Sequence, residues 1–189
     1  MQKQLYPGIV ATFILLLALP LSAAEDWEDL SGSFDGWRQL GDANWRIENG
    51  EFVADAGSGH LVTQESFTDI RVRLEFWVDE GANSGVFLRV SDPDNIVDTN
   101  AYEVNIFDTR PDPSYRTGGV VHFASPAVHI DTAGQWNSYD ITIQGERITA
   151  ILNGEQVVDF EDGTYASGPF SLQYGAGVVK FRNVEIQRL

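Results

Sequence analysis

Hydrophobic and polar residues alternate with a period of two along most of this chain. In residues 70–78, Val72, Leu74, Phe76 and Val78 fall on one face, and Arg71, Arg73, Glu75 and Trp77 on the other. Val86, Leu88 and Val90 alternate likewise with Phe87 and Arg89, and Tyr102, Val104 and Ile106 with Glu103, Asn105 and Phe107. Successive side chains of an extended chain point to opposite sides, so this period predicts strands with one face in a core. Residues 136–144, 147–152 and 155–160 repeat the pattern, with Gly145-Glu146 and Asn153-Gly154 as turns, and predict a three-stranded meander. Glu48-Asn49-Gly50 between 45–47 and 51–54 predicts a hairpin, because Asn and Gly both tolerate positive φ. Short strands are further predicted at 61–63, 120–123, 170–174 and 178–186, whereas 27–45 reads as turns and aromatics without a regular element. No helical period and no internal repeat is visible. About a dozen short strands with evenly spaced turns predict an all-β, two-sheet β-sandwich.

The N-terminus alters the picture of compartment. Lys3 precedes an apolar stretch, 9–21, that is short for a membrane span and interrupted by Pro20, and Ser22-Ala23-Ala24 offers small residues for cleavage. These features predict a signal peptide, residues 1–24, cut after Ala24, with 25–189 as one mature domain that is periplasmic or extracellular. The absence of cysteine excludes a disulfide scaffold, a thiolate metal site and a lipid-anchored N-terminal cysteine. A net charge of −16, from 28 acidic against 12 basic residues, disfavours nucleic acid and anionic membranes and suits a neutral ligand or a cation.

The non-core faces carry the candidate chemistry. An ordinary solvated face would be Lys, Thr, Ser and Glu; here neighbouring segments place Glu75 and Glu103 with Arg73 and Arg89 and with Trp77 and Phe107, a mixture suited to sugar binding. The same four charged residues could equally form structural cross-strand ion pairs. His122 follows a long irregular loop, 109–119, of the kind that carries function on rigid scaffolds. His60 and His129 are weaker candidates, and the three histidines show no metal-binding spacing. Asp92-Pro93-Asp94-Asn95 with Asp98 lacks the glycine and terminal glutamate of a calcium loop and reads as a solvated acidic turn. No nucleophile-elbow serine is present, nor the Glu-x-Asp-x-x-Glu strand of retaining glucanases.

Several stretches together, NSGVFLR, YEVNIFD, the meander from Trp136-Asn137 to Leu152-Asn153-Gly154, and the C-terminal FRNVEI, resemble the 3-keto-disaccharide hydrolase family. The resemblance spans nearly all of residues 25–189. It implies a concanavalin-like jelly roll, and an exported enzyme cleaving 3-keto-glycosides by abstraction of the C2 proton, elimination at C1 and hydration. Such chemistry needs a base, a cationic side chain or divalent metal ion to hold the enolate oxygen, and an acid near the leaving group. On this reading Glu75, Glu103 and His122 are the candidate catalytic residues. Arg73, Trp77, Phe87, Arg89, Asn105, Phe107, Asp108 and Tyr174 are the candidate substrate contacts, lining a concave sheet. The chain departs from the family at Asn105, where a glutamine is usual, and around Tyr174, where a histidine is usual. The rival expectation on the same fold is a lectin-like module, with Trp77, Phe87, Phe107 and Tyr174 stacking on sugar rings.

Overall fold

The computed structural model describes Met1 and residues 26–189; the signal-peptide reading of 1–24 falls outside the described residues. Thirteen strands follow one another: β1 (Glu28–Asp29), β2 (Trp37–Gly41), β3 (Arg46–Glu48), β4 (Glu51–Ala54), β5 (Gly59–Phe67), β6 (Ile70–Val78), β7 (Asn83–Leu88), β8 (Tyr102–Ile106), β9 (Trp136–Gln144), β10 (Arg147–Leu152), β11 (Glu155–Glu161), β12 (Gly168–Ala176) and β13 (Val179–Arg188). The one helical turn among the described residues is the 3₁₀ segment Pro113–Tyr115, capped by the Asp112 carboxylate on the Ser114 N–H.

The strands form two antiparallel sheets. The larger runs β11-β10-β9-β6-β13-β4-β3, with β1 added on β13; the smaller runs β2-β5-β12-β7-β8. Between them lies one large core, to which the eight-stranded sheet brings Val72, Leu74, Phe76, Tyr139, Ile141 and Phe181. The five-stranded sheet brings Leu61, Val86, Leu88, Tyr102, Val104, Phe170 and Leu172. The two-sheet all-β sandwich expected from alternation is the fold found.

The meander matches the turns that predict it. Asn153 and Gly154 have φ of 51° and 86°, the left-handed pair of a two-residue hairpin, and β10 and β11 separate on either side of them. Gly154→Val should therefore cost about 1–2 kcal/mol, since a β-branched side chain is poorly tolerated there; urea unfolding measures it, and an unchanged midpoint would refute the turn assignment.

Three local expectations are corrected. Residues 37–41 form a strand, β2, held at a sheet edge by its pairing with β5. Residues 120–123 do not form a strand: Val120 bridges both Val104 and Ala124, so the chain doubles back through His122 at φ 70°. The alternation through residues 86–90 breaks at Arg89, whose φ of 51° ends β7 and sends Val90 to the outer face beside Phe87.

Candidate functional site

The outer face of the five-stranded sheet carries two rows of side chains, each fixed by strand register. Asn105 on β8 stands opposite Gly85 on β7, Gly85 opposite Gln173 on β12, Gln173 opposite His60 on β5, and His60 opposite Leu40 on β2. The next row is Glu103, Phe87, Ser171, Val62 and Arg38. Three strand spacings separate the column of His60 from that of Glu103, about 14 Å of backbone. That is room for more than one sugar ring.

Several polar side chains of this face are buried and incompletely hydrogen-bonded. Among the described residues four buried side-chain polar atoms lack a hydrogen-bond partner, and two of them, Asn105 Oδ1 and Gln173 Oε1, lie in the first row. The Asn105 amide is oriented by its Nδ2, which donates to the Tyr115 carbonyl, so its oxygen is the atom left over. Leaving such an acceptor unsatisfied costs about 1–3 kcal/mol, which a hydroxyl-bearing ligand would offset. Glu103 is 3% exposed, and among the described residues no cationic side chain forms an ion pair with it. Burial pushes its carboxyl up to about 8; repulsion from Asp98 adds to this and Arg110 offsets part of it. His60 shares a hydrogen bond with Ser171 Oγ at 2.9 Å and packs edge-on against Phe87. Burial lowers its pKa to about 4, so the imidazole is neutral at pH 7.

Loops close over the face. Residues 91–100 are held by Arg38, which donates to the Pro93 carbonyl at 2.6 Å and pairs with Asp94 at 3.1 Å. Ile96 packs beneath them with Val62, Phe87, Val90 and Ala101. A groove of about 340 Å³ remains, lined by Leu40, Ser58, His60, Asp94, Asn95 and Gln173.

The structure separates the residues grouped by sequence. Glu75, Arg73 and Trp77 project from β6, on the outer face of the other sheet, so Glu75 and Glu103 do not share a site. Glu75 accepts from Arg182 Nε at 2.6 Å, Arg73 donates to Asp140 and lies over the Trp27 ring, and Lys180 lies over Trp77. The groove beside Arg73 and Glu75 is larger, about 640 Å³. Arg73 and Glu75 are both ion-paired there, however, whereas the outer face of the five-stranded sheet holds the unpaired oxygens of Asn105 and Gln173, the latter lining the smaller groove. The chemistry, and not the volume, marks the candidate site.

Four other expectations change. Arg89 is buried and spends its guanidinium on the Thr68, Tyr165 and Gly145 carbonyls and on Asp69. Asp108 accepts from Thr117 Oγ1, Thr132 N, Thr132 Oγ1 and Ala133 N, pinning two loops together. Tyr174 points into the core against Trp45, its hydroxyl donating to the Gly177 carbonyl. Phe87 lies on the expected face but is 1% exposed under Ile96, leaving no ring surface for stacking. Phe107 is partly exposed just past β8, its N–H bonded to Thr117 Oγ1. His122 is half-exposed beyond β8, pairing with Asp98 at 3.2 Å and edge-on to Tyr115. Of the residues named from sequence, Glu103, Asn105 and Phe87 thus remain on this face, Phe87 without ring surface to offer. Gln173 and His60 join them, signalled in sequence by alternation with Leu172 and Leu61, although the glycines before His60 obscure its strand.

Among the described residues no three His, Asp or Glu side chains come together as a metal-holding group. The oxygens carried by the two rows are one carboxylate, two amides and the Ser171 hydroxyl, which does not fit a protein-held divalent ion.

The model of the 3-keto-alpha-glucoside-1,2-lyase-like domain matches residues 26–187. None of the curated proteins matches the sequence. Among solved structures, a protein of Parabacteroides distasonis ATCC 8503 provisionally named a glycosyl hydrolase is 22% identical, with a TM-score of 0.74 over 82% of this chain and 89% of its own. The carbohydrate-binding module CBM66 of Bacillus subtilis is 18% identical, with a TM-score of 0.65 over 80% of this chain and 95% of that one. The VIP36 exoplasmic/lumenal domain, in its Ca2+/Man3GlcNAc-bound form, is 8% identical, with a TM-score of 0.61 over 82% and 86%. At these identities the likeness is one of fold.

Proposed function

Because this chain belongs to the 3-keto-alpha-glucoside-1,2-lyase-like domain family, we propose that it cleaves 3-keto-glycosides on the outer face of the five-stranded sheet, after export directed by residues 1–24. The observation that carries this reading is the buried Glu103 carboxyl beside a row in which the Asn105 and Gln173 side-chain oxygens have unmet hydrogen-bonding capacity. A ketone at C3 acidifies the C2 proton. Glu103, in its ionised form, accepts that proton; the C2–H electrons form the C1=C2 bond as the C1–O bond breaks. The proton passes on to the departing oxygen, and water adds across the double bond, so one water is consumed per glycoside. A carboxylate whose pKa is raised by burial is a stronger base than an exposed one, and Arg110 offsets the effect of burial only in part. Asn105 Oδ1 accepts only, so it holds substrate hydroxyls and not the ketone oxygen.

Purified protein should release sugar or aglycone from 3-keto-glucosides and not from the unoxidised glycosides. The rate should climb with pH and level off above about 8, as Glu103 becomes ionised. Release from neither set would sink the proposal, and saturable binding of both without release would make the face a lectin-like module.

A further inference from the structure

Gly85 sits in the middle of the five-stranded sheet, paired with Gln173 on one side and Asn105 on the other. Glycine weakens such a position and needs a reason. Backbone conformation is not the reason, since Gly85 is not among the positive-φ glycines. Close approach is. A Cβ placed on residue 85 would come within 2.9 Å of Glu103 Oε1, 3.1 Å of Glu103 Cγ and 3.3 Å of Phe87 Cε2. Two of these three atoms belong to Glu103, so that side chain lies across β7, over bare backbone, instead of standing above its own strand. The carboxyl is thereby carried one strand inward, next to the column of Gln173, which lines the groove.

We propose that Gly85 is a positioning residue, whose missing side chain lets Glu103 cross β7 and hold its carboxyl beside the Gln173 column of the outer face. The proposal rests on the reading of Glu103 as proton carrier given above. The charged groups around that carboxyl are Asp98 and Arg110 from the covering loops, with His122 bound to Asp98. Phe87 and, behind it, the neutral His60 close the side toward β5. An alanine at 85 would push the carboxyl back toward β8 and the Asp98 side.

The experiment compares wild type, Gly85→Ala, Glu103→Asp and the double variant. Steady-state kinetics on a 3-keto-glucoside are combined with carbon-13 NMR titration of the Glu103 carboxyl. Gly85→Ala should lower kcat on the order of tenfold or more, as displacement of a catalytic group does, with KM little changed. The carboxyl's titration midpoint should move by about one pH unit or more, which a merely structural role would not produce. The shorter aspartate side chain of Glu103→Asp relieves the clash, so the double variant should retain more activity than the product of the two single losses predicts. A Gly85→Ala protein with wild-type kcat and wild-type titration overturns the proposal. If wild type cleaves no 3-keto-glycoside, the functional reading fails while the titration still decides the role of Gly85. If Gly85→Ala does not fold, folding of the double variant supports the clash with Glu103, and failure of both overturns it.

Discussion

Arg89→Met is expected to destabilise the protein by about 3–5 kcal/mol, the usual cost of removing one partner from a buried charged network. Arg89 is 4% exposed and makes four hydrogen bonds: Nε to the Thr68 carbonyl at 2.7 Å, Nη1 to Tyr165 at 3.0 Å, and Nη2 to Gly145 at 2.9 Å and Asp69 Oδ1 at 3.0 Å. One guanidinium therefore gathers the turn between β5 and β6, the turn between β9 and β10, and the approach to β12. Methionine fills similar volume but removes the guanidinium donor from three carbonyls and leaves Asp69 Oδ1 with the Gly145 N–H. Lysine keeps the charge but lacks the planar fork that reaches several acceptors at once, so Arg89→Lys should recover only part of the loss. Urea unfolding of both variants measures it. A Met variant within about 1 kcal/mol of wild type would show that water replaces the guanidinium freely.

Glu103→Gln should act in opposite directions on activity and stability. Loss of the proton carrier is expected to lower turnover of a 3-keto-glucoside by about 10²–10⁴-fold, the range for general acid–base groups. The same change should stabilise the fold at alkaline pH. The carboxyl titrates at about 8 in the folded chain, against 4.5 ordinarily. Between those values the folded protein holds a proton that the unfolded chain has released, so stability falls as pH rises and flattens above about 8. At full effect the penalty is a few kcal/mol, at about 1.4 kcal/mol for each pH unit that separates the folded and unfolded midpoints. Glutamine has no such penalty. His60 works with the other sign: held down to about 4 against 6.5, it removes stability as pH falls through that interval. The window from 6.5 to 8 therefore reports on Glu103 with little interference from His60. Melting curves of wild type and Glu103→Gln should diverge steadily across it; parallel curves would mean that Glu103 is solvated and ionised throughout.

Alternation along the chain makes the strands legible, and the turns at Asn49-Gly50 and Asn153-Gly154 make two hairpins legible. What alternation cannot do is tell one outer face from the other. β6 and β7 are neighbours in sequence yet lie in different sheets, so Glu75 and Glu103, both correctly off the core side, end on opposite surfaces of the sandwich. Parity also assumes an unbroken strand. Arg89, at φ 51°, breaks it, and a residue counted as facing outward is turned into a gap between turns. β2 escapes a periodicity search because only Trp37 of its five residues is buried. β1 forms on two residues, Glu28 opposite Ile186 and Asp29 opposite Glu185. No periodicity is visible over so short a segment. The row from Asn105 to His60 depends on which strands become neighbours, and β12 joins it by pairing Gln173 with Gly85 and His60, both more than eighty positions earlier in the chain.

The last two strands occupy interior places in both sheets: β12 lies between β5 and β7, and β13 between β6 and β4. Each completes ladders begun more than eighty residues earlier, so most of the closure entropy of the fold is spent in one late event. During synthesis, residues 26–167 would hold two half-built sheets with open edges, exposed to mispairing until residues 168–188 arrive. The arrangement favours slow, all-or-none folding, and the Gln173 side of the outer face forms only once β12 has entered its sheet.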